Sequence, residues 1–250
     1  HLYLLDNPWR NAAGGLNVGL RHARGDILLR VDAHAVIAPD YVQTCVRRLA
    51  ERPEIGNVGG PLRPLGETTV GRAIALALRS PFSMGGSPFR YARGPRLVDT
   101  VYLGAYRRRD LARVGRFNTT LGANEDYEFN YRLRQAGFFI LCDPAVRSHT
   151  YTRRSLIRLA EQYLRYGFWK AHVVRLHPRS LQLRHLGALA FLIAAGVSLL
   201  AALAGPWLPL ALLAAGYASA NLFAPYRAGW LCNGRAGLLI PLIFALMHVC

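Results

Sequence analysis

Past Glu161 the chain contains no acidic residue, and Lys170 is its only lysine among 31 Lys and Arg side chains. Cysteine is nearly as scarce. Cys45, Cys142, Cys232 and Cys250 stand far apart with no paired spacing, which excludes a zinc knuckle, a Cys-x-x-Cys redox couple and a disulfide-stapled scaffold, and fits a reducing compartment. No Met and no signal-peptide pattern open the chain; it begins on His1 in mid-strand and so reads as a fragment missing its amino-terminal strands. The stretch from Leu186 to Tyr226 carries no charge at all.

What is present is 250 residues with a formal charge of +17, enough for one domain with a substantial core plus an appendage. The charge is uneven: Arg153 to Arg184 holds eight basic residues against the single Glu161. Such a block attracts either nucleic acid or an anionic membrane surface. The uncharged run that follows decides for the membrane, because Leu186 to Ala204 is long enough to cross a hydrocarbon core, which takes about 20 residues as a helix. Gly205-Pro206-Trp207-Leu208-Pro209 breaks it, Leu208 to Phe223 can return, and Ala236 to Cys250 is a third apolar segment. A soluble core hairpin is the alternative, but the run lacks a polar face. No interleaved aromatic and basic readout pattern supports a nucleic-acid partner. Arg227 and Arg235, like the basic block, place the flanking loops and the large polar domain on the cytoplasmic side of an inner, multi-pass membrane arrangement.

The polar part reads as α/β. Leu2 to Leu5 is expected as a strand broken by Asn7-Pro8, and Gly14 to Ala23 as a short helix ending by Gly25. Asp26-Ile-Leu-Leu-Arg-Val-Asp-Ala-His34 is then an apolar strand that stops on Asp32 and His34, two residues expected to share a face. A carboxylate and an imidazole at a strand's carboxyl end make half of a divalent-metal site, although Asp is also ordinary where a strand turns into a loop. Further strands are expected at Ile55 to Gly60, Val98 to Tyr102 and Phe138 to Leu141, and helices from Ala38-Pro39-Asp40 to Glu51, over Thr69 to Leu78 and over Asp110 to Val114. Ser80 to Pro95, rich in Gly, Pro and Ser, is expected as a loop. Asn124-Glu125-Asp126-Tyr127-Glu128 opens a helix with Asn124 as its cap; three acids in a first turn are equally ordinary capping chemistry.

In this order, Asp32-x-His34, then Gly104-Ala105-Tyr106-Arg107-Arg108, then Asn124-Glu125-Asp126, the motifs resemble the family 2 glycosyltransferases of the GT-A fold, over about Leu4 to Tyr166. Within that family, Asp6-Asn7-Pro8, Gly15-Leu16-Asn17, Ala23-Arg24-Gly25-Asp26 and Val31-Asp32-Ala33-His34-Ala35 look closest to membrane-bound succinoglycan-type exopolysaccharide transferases. The resemblance implies a Rossmann-like mixed sheet over residues 1–152, a basic amphipathic interface region over 153–184 and transmembrane helices over 185–250. It implies a divalent metal, Mn²⁺ or Mg²⁺, at Asp32 and His34, with His149 completing the site and imidazole standing where the family carries a second carboxylate. Asp126, beside Glu125, matches the base that takes the acceptor hydroxyl's proton in an inverting transfer. Gly104 and Ala105 match a small-residue strand end that lets sugar approach the backbone. Gln162, Arg165 and Tyr166 resemble the Gln-x-x-Arg-Trp signature of processive synthases, with Tyr for Trp; the same segment also reads as an interfacial helix against lipid headgroups. The implied partners are a nucleotide-sugar donor, taken as a UDP-sugar, a lipid-linked or polysaccharide acceptor, and membrane lipids. A catalytically impaired membrane scaffold that keeps the fold is the alternative that His34 raises.

Overall fold

A computed structural model describes residues 1–250. Its elements run α1 (Ala12–His22), β1 (Ile27–Arg30), β2 (Ala35–Ile37), α2 (Tyr41–Glu51), β3 (Ile55–Gly60), β4 (Pro64–Leu65), α3 (Thr69–Ala77), α4 (Pro81–Met84), β5 (Arg96–Val98) and β6 (Tyr102–Arg107). They continue with α5 (Arg108–Val114), α6 (Glu125–Gln135), β7 (Phe139–Cys142), β8 (Ser148–Tyr151), α7 (Leu156–Leu176), α8 (Leu183–Leu203), α9 (Leu208–Arg227) and α10 (Arg235–Val249). Two compact units result: residues 1–63, 88–150 and 165–180 form the first, and residues 64–87, 151–164 and 181–250 the second.

The first unit is built on a mixed five-stranded sheet of order β1-β6-β3-β7-β5, in which β3 and β7 run parallel and the other neighbours antiparallel. Side chains alternate across it. Ile140 and Cys142 point into one core layer with Tyr106, Phe117, Phe129 and Leu133. Leu141, Leu103 and Ala105 point into the other with Tyr41, Cys45 and Leu49 of α2. On β1, Leu28 packs into the first layer, whereas Ile27 and Leu29 pack into the second. The α2 carboxyl end would leave carbonyls without partners. Arg107, buried and ion-paired to Asp110 at 2.9 Å, donates to the carbonyls of Leu49, Arg52 and Ile55 and so closes that end.

Several expectations are corrected here. Residues 2–5 form no strand, and Leu2 and Leu4 are fully exposed; with no neighbouring ladder, an apolar tetrapeptide has nothing to pair with. Strand β1 ends at Arg30, so Asp32 and His34 lie on the following turn, where the Asp32 carbonyl accepts from Ala35 N at 2.9 Å. Gly104 and Ala105 sit inside β6, not at a strand end, and the strand expected at Val98 to Tyr102 is two strands, β5 and β6. Helix α2 begins at Tyr41, just after the expected Ala38-Pro39-Asp40 start, and Asp40 pairs with Arg147 at 2.9 Å. The segment Ser80 to Pro95 contains the short helix α4.

In the second unit, α3 lays Ala73, Ile74 and Ala77 against Ile240, Ile243 and Phe244 of α10. This burial and its 15 residues distinguish α10 from α8 and α9, which have 21 and 20 residues and are long and apolar enough to cross a membrane. No residue of α8 is buried.

Two outcomes are expected. A Cβ on Gly60 would fall 1.8 Å from the Val146 carbonyl oxygen, so Gly60→Ala should lower stability by about 2 kcal/mol, as overpacking of a filled site does, read by thermal unfolding. Burial pushes the Cys45 and Cys142 thiols up from 9.0 to about 12, cutting their thiolate fraction roughly a thousandfold. Alkylation followed by mass spectrometry should label the exposed Cys232 and leave Cys45 and Cys142 untouched until denaturant is added.

Candidate active site

Alternation along β1 puts Arg30 on the face of Leu28, and that face is covered by α6 through Phe129 and Leu133. The first turn of α6 therefore meets the end of β1. Arg30 Nε stands 2.9 Å from Asp32 Oδ1, Nη2 3.1 Å from Glu125 Oε1, and Nη1 4.0 Å from Asp126 Oδ2. Three carboxylates from two separate segments thus converge on one guanidinium. The side chains of Arg30 and Glu125 are 14% and 8% exposed, that of Asp126 38%, so Asp126 is the carboxylate open to an incoming molecule. Its Oδ1 accepts from Tyr127 N at 2.7 Å, which orients the group.

Burial sets the electrostatics. It raises the pKa of Glu125, with the neighbouring Asp126 charge adding to the rise and Arg30 opposing it. Burial works against the Arg30 charge, but Asp126, Asp32 and Glu125 more than reverse it and the guanidinium pKa rises. Tyr102 on β6 has its phenol pKa raised, chiefly by burial.

Of the other expected residues, His34 is exposed on the turn after β1. It does not share a strand face with Asp32, because the strand has already ended. His149 lies in β8 opposite Val36 of β2 and has a buried Nδ1 without a hydrogen-bond partner. Gly104 stands directly across the ladder from Arg30; a Cβ there would meet Asn57 Oδ1 and Tyr106 Oη at 2.8 Å, and its φ is +152°, so the position is kept for glycine by close approach. Ala105 is fully buried in the α2 layer, away from the acidic face. Asn124 precedes α6 in the left-handed region (φ 62°), which Asn tolerates; its side chain does not cap the helix but donates to the Tyr166 carbonyl at 3.0 Å. Arg165 donates to the Gly122 carbonyl. Arg165 and Tyr166 are therefore gathered beside the loop that enters α6, whereas Gln162, one turn earlier on α7, accepts from Arg153 Nε at 3.0 Å.

The three carboxylates exceed the guanidinium by two formal charges, and on β8 the partnerless His149 nitrogen is of a type that ligates Mn²⁺. No three His, Cys, Asp or Glu side chains are gathered into a cage, and Asp32 Oδ1 is paired with Arg30. Arg30 itself is the residue that sequence reading passed over. Its signal was there, an arginine on the buried face of an apolar strand, which must find carboxylates to be tolerated.

Residues 1–115 match the model of glycosyl transferase family 2. The chain is 28% identical over 180 residues to a Methanococcus voltae dolichyl N-acetyl-alpha-D-glucosaminyl phosphate 3-beta-D-2,3-diacetamido-2,3-dideoxy-beta-D-glucuronosyltransferase, covering 70% of this chain and 56% of that protein. It is 30% identical over 190 residues to the succinoglycan biosynthesis protein ExoA of Rhizobium meliloti (strain 1021), covering 74% and 57%. The chain thus spans little more than half the length of these relatives. A mannosyltransferase of Pyrobaculum calidifontis, solved with GDP-Man and Mn²⁺, superposes with a TM-score of 0.56 at 24% identity, over 96% of this chain and 66% of that one. That likeness shows a shared GT-A fold.

Two residues beyond Asp126, the buried Glu128 accepts from Arg132 Nε and Nη2 at 2.7 and 2.9 Å and stands 3.0 Å from His177 Nε2. It ties the 165–180 segment to α6. Glu128→Ala should destabilise the protein by about 3 kcal/mol, as loss of one partner of a buried ion pair does, and chemical denaturation of the purified protein measures it.

Proposed function

Since the chain carries a glycosyl transferase family 2 domain over residues 1–115, we propose that it moves a sugar from a nucleotide-sugar donor to a lipid-linked or polysaccharide acceptor in exopolysaccharide or cell-surface glycan synthesis. The observation that carries this reading is the convergence of Asp32, Glu125 and Asp126 around Arg30, with Asp126 the most open of the three. In the proposed reaction, Asp126 takes the proton from an acceptor hydroxyl. The hydroxyl oxygen forms a bond to the anomeric carbon while the bond from that carbon to the nucleoside diphosphate breaks, so the anomeric centre inverts. Tyr127 N orients the base. Glu125, with its raised pKa, adds less negative charge beside Asp126 than an ordinary glutamate would. Tyr166 offers an aromatic face to a sugar ring, and Arg165 and Asn124 hold it beside α6.

A divalent ion, Mn²⁺ or Mg²⁺, would be held by Asp32 and His149 with His34 entering from its turn, and when bound it supplies positive charge to the departing diphosphate. The donor is proposed as a UDP-sugar. Helices α8 and α9 are proposed to span the cytoplasmic membrane with α7 and its arginines on the cytoplasmic side, following the charge asymmetry. A scaffold that keeps the fold without turnover is the second reading, raised by the imidazole of His34 where the family carries a second carboxylate.

Nucleoside diphosphate release by the full-length protein in membranes tests the first reading. Asp126→Asn should lower turnover at least about a hundredfold, the contribution expected of a general base, with donor binding retained. Unchanged turnover removes Asp126 from the role, and absence of donor binding in the wild type favours the scaffold.

A further inference from the structure

We propose that a cavity of about 300 Å³ between α1 and the loop 116–119, outside the acidic centre, is a subsite for an acidic sugar residue, one whose ring carries a carboxylate. The proposal rests on the glycan reading above for its choice of a sugar as the ring; the demand for an anion comes from the cavity itself.

The cavity follows from one face of α1, which Gly14, Asn17 and Arg21 share by their helical spacing. Trp9 packs directly on that helix because Gly14 has no side chain; a Cβ there would fall 2.5 Å from the Trp9 Cβ. The buried Asn17 accepts from Phe117 N at 2.9 Å and donates to the Phe117 carbonyl at 2.8 Å. Asn11, which caps α1 by accepting from Gly14 N at 2.7 Å, donates to the Thr119 carbonyl at 2.9 Å. Arg132 Nη2 donates to the Arg116 carbonyl at 2.7 Å. The two walls are thus fixed to each other before any ligand arrives, as in most small-molecule sites. The lining then sets the ligand. Trp9, 46% exposed, leaves aromatic surface uncovered, and Arg21 stands over its ring, 5.6 Å from the centroid. Arg116 lines the loop wall, where Thr119 adds a hydroxyl. No Asp or Glu lines the cavity, and neither Arg21 nor Arg116 pairs with a carboxylate, whereas Arg30, Arg48, Arg107 and Arg132 all do. Two guanidinium groups without counter-ions beside an indole select an anion attached to a ring: the planar fork takes a carboxylate through paired N–H donors, and the C–H face of a sugar packs on the aromatic surface. The volume is at the small end for ligand sites and suits about one ring.

Methyl β-glucuronide and methyl β-glucoside differ only in carrying a carboxylate or a hydroxymethyl group at the same ring position, and a titration of each against the detergent-solubilised full chain, followed by saturation-transfer NMR without nucleotide, tests the proposal. The glucuronide should bind at least about tenfold more tightly, the weight of charge-assisted hydrogen bonds from a guanidinium. Arg21→Gln and Arg116→Gln alter exposed side chains and leave the Asn11 and Asn17 ties in place; each should remove most of that preference, while Trp9→Ala should weaken binding of both sugars. Inorganic phosphate probes a site for a bare anion and should displace the glucuronide only at much higher concentration. A glucuronide that binds no better than the glucoside, a preference that survives both Gln variants, or displacement by phosphate at equal concentration overturns the proposal. Because no turnover is measured, a wild type that binds the glucuronide yet releases no nucleoside diphosphate from any donor refutes the transferase reading and leaves the subsite standing.

Discussion

A buried arginine at the end of a strand cannot be left without carboxylates, and that requirement at Arg30 organises the polar face of the first unit. β1 supplies the guanidinium on the same side as Leu28, and α6 covers that side with Phe129 and Leu133. The first turn of α6 is therefore obliged to carry acids. Glu125 and Asp126 meet the need from the helix, and Asp32 meets it from the turn. The centre keeps a formal surplus of negative charge, and the Asp126 charge adds to the rise in the Glu125 pKa that burial begins.

Around this centre the supporting contacts are mostly arginines serving as structural donors. Arg107 closes the end of α2, Arg132 holds Glu128 and donates to the carbonyls of Val114 and Arg116, and Arg165 holds the Gly122 carbonyl. A planar fork with five donors suits such multiple carbonyl contacts better than a lysine does. The extreme basic charge is thus partly internal architecture. The single lysine, Lys170, lies with its Nζ over the Tyr127 ring at 3.0 Å from the centroid, another contact that joins the 165–180 segment to α6.

Much of the fold was legible. The short strands expected at Ile55 to Gly60 and Phe138 to Leu141, the helix from Asp40 to Glu51 and the acid-first helix at Glu125 match elements close to those observed. Misreadings occurred where pairing, not composition, decides: Leu2 to Leu5 looks like a strand but has no ladder, and Gly104-Ala105 looks like a strand end but lies inside β6. At the centre, Asp32, Glu125 and Asp126 were legible as acids on the right segments. Arg30 was not, because attention to an apolar pattern discounts its one charged member.

The sequence alone determined the apolar run of β1, the acids at the start of α6, the charge-free stretch from Leu186 to Tyr226 and the order of the motifs. All of these follow from local period and composition. Only tertiary structure decided that Asp32 pairs with Arg30, that His34 is turned out to solvent and that Asn124 reaches the Tyr166 carbonyl instead of capping its own helix. Those outcomes depend on which segments the sheet and its covering helix bring within hydrogen-bond distance, and residues that meet there, Arg30 and Glu125, are 95 positions apart in the chain, beyond the reach of any local pattern.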